Sequence, residues 1–103
     1  VNMEILTQRD DRSIQRWLRE VSNDELAKAL ISASKDVQDK VFGNMSRRAA
    51  LLLQQDIEFM GPVRKSDVLE SQKKMMEVLK QLEERGEIVI PSSHAVSADE
   101  TVL

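Results

Sequence analysis

Residues 46–62 decide the fold, and they read SRRAALLLQQDIEFMGP. Ser46 can accept a hydrogen bond from the free N–H groups at the start of a helix. Residues 47–60 contain no Gly or Pro. Gly61 and Pro62 then stop the helix, because Gly accepts a positive φ and Pro cannot continue the hydrogen-bond ladder. This stretch predicts an α-helix that begins after Ser46 and ends before Gly61.

Apolar residues recur at helical spacing through most of the remaining chain. Ile14, Trp17, Leu18 and Val21 fall at i, i+3, i+4 and i+7, which places them on one face of an amphipathic helix. Trp17 lies in this inward stripe and is predicted to be a core residue. Similar patterns predict further helices in residues 1–8, 26–33, 34–43 and 64–85. The whole pattern gives an all-α fold of five to six short helices.

The predicted helices have recognisable starts and stops. Asp10 or Asp11 can cap the helix that carries Trp17, because an acid there accepts from free N–H groups. Ser22 and Glu25 have the spacing of a capping box at the start of the next helix. Gly86 marks the end of the last helix, where a left-handed residue is favourable.

The connections between the predicted helices are short, so consecutive helices are expected to be antiparallel neighbours. Gly43 is expected to end the third helix in a left-handed turn. The result is a compact helical stack, and periodicity does not choose between a bundle and a superhelix. We assign residues 1–90 to one domain, with Glu87–Ile90 as an extended segment packed on the helices. Residues 91–103 are expected to form a disordered tail.

Composition fits a small globular domain. The chain has 103 residues, of which 41% are hydrophobic and 32% charged, enough for one core. Its longest dense apolar run, Ala49–Leu53, is far shorter than the roughly 20 residues of a transmembrane helix, so no direct membrane insertion is expected. The net charge of -3 and the aromatic content of 3% argue against nucleic-acid binding.

The sequence contains no recognisable catalytic or metal-binding pattern. Cysteine is absent, and the one histidine, His94, lies in the expected tail. The three Gly residues each fit the end of a helix rather than a phosphate-binding loop. We therefore expect that the chain is not an enzyme and that it holds no metal or other cofactor.

Four motifs occur along the chain: DDRSIQR at residues 10–16, NMSRRAA at 44–50, GPVR at 61–64 and GEIVI at 86–90. In order and spacing they resemble the C-terminal domain of the flagellar motor switch protein family FliG. The resemblance covers about residues 4–90. It implies a right-handed helical superhelix of armadillo type.

The resemblance also implies a function and a set of contact residues. In that family the domain lies on the cytoplasmic rotor ring, at the cytoplasmic face of the inner membrane. Contacts between opposite charges on the domain and on the stator protein MotA transmit torque for motility, and the domain takes part in direction switching during chemotaxis. Arg48, Asp56 and Arg64 match the family's torque residues. FliM and neighbouring FliG subunits are the other implied partners.

The chain departs from the family pattern at three places. Gln55 stands where many members carry an acid, and Ile31 stands where some carry Lys. Residues 1–3 occupy the last positions of the family's Met-Phe-x-Phe hinge motif, which is not intact here. Gln55 stays among the candidate contact residues because it shares a helix face with Arg48.

Helical geometry groups these candidates. Arg48 and Gln55 are seven residues apart, so they share a helix face to within about 20°, and Asp56 is offset from Arg48 by about 80°. Leu52 and Phe59 fall on the same side. We expect them to be covered by the fifth helix or by the last apolar segment, although an exposed apolar strip can also mark a contact site.

Arg64 lies at the start of the fifth helix, where a cation opposes the helix dipole. Such a placement costs a few tenths of a kcal/mol, and a residue placed against stability indicates a function. An ion pair with Asp67 or Asp56 is the structural alternative.

Two other classes of protein fit the helical pattern. One is a generic helical-repeat interaction module of another assembly. The other is the cytoplasmic regulatory domain of an MgtE-like magnesium transporter, whose family has a related superhelical domain. The transporter alternative predicts acidic cation sites at a domain boundary.

Overall fold

The structure, a computed structural model, describes residues 2–88 of the chain. Within these residues it consists of one 3₁₀ helix followed by five α-helices, joined by short turns. The prediction of an all-helical fold with five to six helices is therefore confirmed. The elements are the 3₁₀ helix Met3–Gln8, α1 Asp11–Leu18, α2 Asn23–Ile31, α3 Lys35–Gly43, α4 Arg47–Phe59 and α5 Lys65–Glu84.

Side-chain caps begin the first four α-helices. Asp10 Oδ1 accepts from Ser13 N at 2.8 Å, so Asp10 rather than Asp11 is the cap of α1. Hydrogen bonding by Ser13, through its side chain and its backbone N–H, lowers the pKa of the Asp10 carboxyl. The hydroxyls of Ser22, Ser34 and Ser46 accept in the same way at 3.3, 3.2 and 3.1 Å.

The predicted capping box at the start of α2 is only half formed. Ser22 Oγ accepts from Glu25 N, but the Glu25 carboxylate accepts from Ser71 Oγ of α5 at 2.6 Å. Lys74 of α5 lies 3.5 Å from the same carboxylate. A residue expected to make a local cap instead joins α2 to α5.

Two of the three predicted glycine stops use a left-handed backbone. Gly61 and Gly86 have φ of 75° and 77°, and Pro62 follows the first of them. The prediction for Gly43 is wrong, because Gly43 is the last residue of α3 and lacks a positive φ. Asn44 ends this helix instead: its Nδ2 donates to Lys40 O at 2.9 Å, so a side chain satisfies a carbonyl of the last turn.

The core is built around α2, against which both α4 and α5 pack. The 3₁₀ helix packs on α3, and α1 packs on α5. Trp17 is fully buried, and its Nε1 donates to Met75 O at 2.9 Å, so it is the core residue that its position predicted. Large buried side chains come from every element, including Leu6, Ile14, Leu26, Leu30, Val37, Val41, Leu53, Leu79, Leu82 and Ile88.

The end of the predicted domain is described in part. Glu87 pairs with Arg16 of α1, and the Ile88 side chain is buried in the core. Val89, Ile90 and the expected tail at 91–103 lie outside the described residues.

Candidate functional site

The inner side of α4 holds this helix on the core. Leu53 is buried, and Ala49, Ala50 and Ile57 are half-buried around it. Ala50, Leu53 and Ile57 lie on the opposite side of the helix from Arg48, and Ala49 lies at the edge between the two sides, because each position advances about 100° around the axis. The opposite side is therefore left facing outward.

The outer face of α4 brings most of the candidate contact residues together. Arg48, Gln55 and Asp56 are all exposed on it. By the same rotation, Leu51 and Leu52 lie within about 60° of Arg48, and Phe59 lies within about 20°. We define the outer face of α4 by six residues, Arg48, Leu51, Leu52, Gln55, Asp56 and Phe59.

Arg64 is placed apart from this group, at the start of α5. It is the exposed N-cap of that helix and makes no side-chain capping hydrogen bond. Four residues of chain separate it from Phe59, so five residue steps keep its Cα within about 18 Å of the end of α4. Between residues 2 and 88, no ion pair involves Arg64, Asp67 or Asp56, so the predicted structural alternative is not formed there.

The charges of α4 are arranged against its own dipole. Each of the other four α-helices has an acid in its first turn, whereas α4 has none and begins with Arg47 and Arg48. Its last turn contains Asp56 and Glu58 and no base. Cations at an N-terminus and anions at a C-terminus are each unfavourable, typically by about 0.3–1 kcal/mol. Helix stability therefore does not explain this order of charges.

The expectation that Leu52 and Phe59 are buried is wrong. Leu52 is 52% exposed, Phe59 is 82% exposed, and Leu51 beside them is 53% exposed. The physical reason is that α4 packs mainly on α2, while Glu87 and Ile88 lie beside α1 and α5. Sequence reasoning had not singled out Leu51, although its angle from Arg48 already placed it beside this group.

Ile31, the second departure from the family pattern, is also on the surface. It is the last residue of α2 and is 37% exposed. An apolar side chain thus faces solvent where some family members carry Lys.

A shallow cleft adjoins the start of α4. It has a volume of about 510 Å³ and is lined by apolar groups of Leu18 and Met45 and by two exposed cations, Arg12 and Arg19.

Across residues 2–88 there is no cluster of His, Cys, Asp and Glu that could hold a metal ion. No helix of the described part of the chain is both long enough and apolar enough to cross a bilayer.

The fold and this surface define a class: a small all-helical domain that displays charged and apolar side chains on one helix face. The sequence profile of the FliG C-terminal domain matches residues 1–90. The chain belongs to the family of FliG C-terminal domains.

Individual relatives agree with this assignment. The chain is 59% identical over 81 residues to the flagellar motor switch protein FliG of Borreliella burgdorferi, and 56% identical over 81 residues to that of Thermotoga maritima. Each match covers 79% of this chain and 24% of the relative, so the chain spans about a quarter of the length of these proteins.

Solved structures share the fold. A crystal structure of part of FliG from H. pylori superposes with a TM-score of 0.83 at 31% identity, over 87% of this chain and 42% of that one. Full-length FliG from Aquifex aeolicus gives a TM-score of 0.80 at 32% identity, over 84% and 27%. The family match favours the FliG interpretation over the magnesium-transporter and generic-module alternatives.

Proposed function

We propose that this chain is the stator-facing domain of a flagellar rotor protein and that the outer face of α4 contacts the cytoplasmic loop of MotA. Arg48 and Asp56 carry the charged part of this contact, Arg64 extends it at the start of α5, and Gln55 lies on the same face of α4 as Arg48. The observation that supports this best is the order of charges along α4. These charges are exposed, they have no ionic partner among residues 2–88, and they oppose the helix dipole.

Exposed charge suits a contact that forms and breaks repeatedly as a rotor turns. An exposed ion pair contributes only about 0.2–1 kcal/mol, so a few of them do not trap the partner. Together they still orient an approaching partner and set its register. At cellular salt their influence reaches about 8–10 Å, so the charges act only while the partner is close.

The proposal includes the location and the remaining partners of the domain. The domain lies in the cytoplasm on the rotor ring, at the cytoplasmic face of the inner membrane. FliM and neighbouring FliG subunits hold it there and couple it to direction switching. Its role is mechanical: it binds proteins, catalyses no reaction and needs no cofactor.

Charge reversal in living cells tests the charged contact. The chromosomal gene for this chain is changed to encode Arg48→Glu together with Asp56→Arg, and swimming is measured in soft agar. We expect strongly reduced spreading with normal flagellation, because like charges then face the stator. Opposite reversals in the MotA loop are expected to restore part of the motility.

A matched control uses the exposed pair Lys35 and Asp39 of α3, whose charged groups lie 3.3 Å apart. Reversing both as Lys35→Glu and Asp39→Lys keeps the net charge and the pair, and we expect unchanged swimming. Normal swimming by the α4 variant, or an equal defect in the α3 variant, would contradict the proposed contact.

A further inference from the structure

The outer face of α4 is rich in exposed apolar side chains. Among residues 2–88 five large apolar side chains are exposed, and Leu51, Leu52 and Phe59 account for three of them. The other two, Ile31 and Leu69, lie one each on α2 and α5. Single exposed apolar residues are ordinary, whereas several on one helix face mark a contact surface.

The spacing on this face is that of helix-to-helix packing. Positions 48, 52, 55 and 59 follow i, i+4, i+7 and i+11, which forms one stripe along a helix. Leu52 lies midway between Arg48 and Asp56, whose Cα atoms are about 12 Å apart along the helix axis. Phe59 continues the stripe beyond Asp56. The arrangement matches the way an amphipathic helix docks, with apolar anchors along its length.

Charge alone is weak on this face, because Gln55 provides no charge beside Asp56. One exposed ion pair changes an affinity by up to about fivefold. Covering the Phe59 ring, which is 82% exposed, can change it by about tenfold. The apolar stripe can therefore contribute at least as much binding as the two charges beside it.

We propose that the stator segment that meets α4 is an amphipathic helix whose apolar stripe packs on Leu52 and Phe59. The charged contacts of Arg48 and Asp56 belong to the proposed function, and the apolar packing between them is the new element. The inference rests on the proposed function and adds the chemistry of the partner. In this chain, apolar contact contributes binding that the neutral side chain of Gln55 does not supply through charge.

Binding at two salt concentrations tests the inference. The purified chain is titrated with the purified cytoplasmic loop of MotA from the same bacterium, at about 0.1 M and about 0.5 M salt, because salt screens exposed charges but not apolar contacts. The variant Leu52→Ser with Phe59→Ser is expected to bind about tenfold more weakly at both concentrations. Phe59→Leu, which keeps an apolar side chain, is expected to bind nearly as well as the unchanged chain.

Two controls separate the apolar contact from general effects. Leu69→Ser removes a similarly exposed apolar side chain from α5 and is expected to leave the affinity unchanged. Arg48→Glu with Asp56→Arg is expected to weaken binding at low salt and to approach the unchanged chain at high salt. Thermal unfolding of each variant checks that the fold is retained.

The outcomes distinguish this inference from the proposed function. Weaker binding by the charge variant with no effect of the Leu52 and Phe59 changes overturns the apolar contact and leaves the proposed function intact. No binding by the unchanged chain at either salt contradicts both. Tighter binding after the Leu52 and Phe59 changes shows that a second copy or residues 89–103 already cover this face, which overturns the proposed occupant.

Discussion

Helices α4 and α5 both pack against α2, but they differ in how many of their apolar side chains are buried. α5 buries a complete apolar stripe, which includes Val68, Met75, Leu79 and Leu82. α4 buries only Leu53 fully and leaves three large apolar side chains in solvent. Burial of apolar surface dominates the stability of such folds, so α5 contributes more to folding than α4 does.

The polar side chains of α4 and α5 also differ in burial. Gln72 of α5 is buried, and its Nε2 donates to Ala29 O at 3.0 Å and to Ser32 Oγ at 3.1 Å. Glu83 of α5 forms a largely buried ion pair with Arg9. The polar groups of α5 are thus used within the fold, whereas Arg48 and Asp56 on α4 point away from it. The difference indicates that α5 is shaped by folding and the outer face of α4 by a partner.

The largest expected difference between the helices is in leucine truncation. Leu79→Ala on α5 is expected to lower the free energy of unfolding by about 2–5 kcal/mol, because the side chain is 2% exposed and its removal leaves a cavity. Leu52→Ala on α4 is expected to change it by about 0.5 kcal/mol or less. Urea unfolding of the purified chain measures both. Equal losses would show that α4 is packed as tightly as α5.

A smaller effect is expected where α5 meets the start of α2. The hydrogen bond from Ser71, with charge from Lys74 and Lys28, lowers the pKa of Glu25 below its ordinary value of 4.5. A lowered folded pKa gives stability that is present above pH 4.5 and is lost as the pH falls through the folded pKa. Ser71→Ala is therefore expected to cost about 1 kcal/mol at neutral pH and less at pH values below this transition.

Unfolding free energies of Ser71→Ala and of the unchanged chain, measured from neutral to acid pH, check this prediction. Ser66→Ala is a suitable control, because Ser66 is an exposed serine on the same helix. A loss that stays constant across the pH range would mean that Ser71 acts by packing and not through the Glu25 carboxylate.

The smallest expected effect has the opposite sign. Arg48→Glu with Asp56→Arg gives α4 charges that agree with its dipole, so the free energy of unfolding is expected to rise by about 0.3–1 kcal/mol. Thermal unfolding at low salt measures the gain, and it should shrink at high salt. A clear loss of stability would show that these two charges serve the fold, which would remove the contrast between α4 and α5.

The sequence predicted the fold well where a local rule applies. The spacing of Ser46 and Ala49, or of Asp10 and Ser13, identifies a helix start without knowledge of any neighbour. Trp17 was assigned to the core because the apolar stripe of its helix has only one inward direction. The rule failed at Gly43, because the side chain of Asn44 bonds a carbonyl of the last turn and ends α3 without a left-handed glycine.

The sequence predicted less where several elements meet. Periodicity assigns a face within one helix, but it does not say how many neighbours cover that helix, so Leu52 and Phe59 were expected to be buried. Glu25 had the spacing of a local cap, but its carboxylate bonds Ser71, 46 residues away. Arg48, Gln55 and Asp56 were placed correctly on one exposed face by spacing alone, while their role in binding a stator stays a prediction from the family resemblance.

Photo-crosslinking in motile cells tests most directly whether the outer face of α4 contacts the stator. A benzophenone amino acid replaces Gln55, which is exposed on the outer face of α4, and in a control strain it replaces exposed Glu77 of α5. After irradiation we expect a product with MotA from position 55 and little or none from position 77. Equal products from both positions, or no MotA product from position 55 in swimming cells, would contradict the contact.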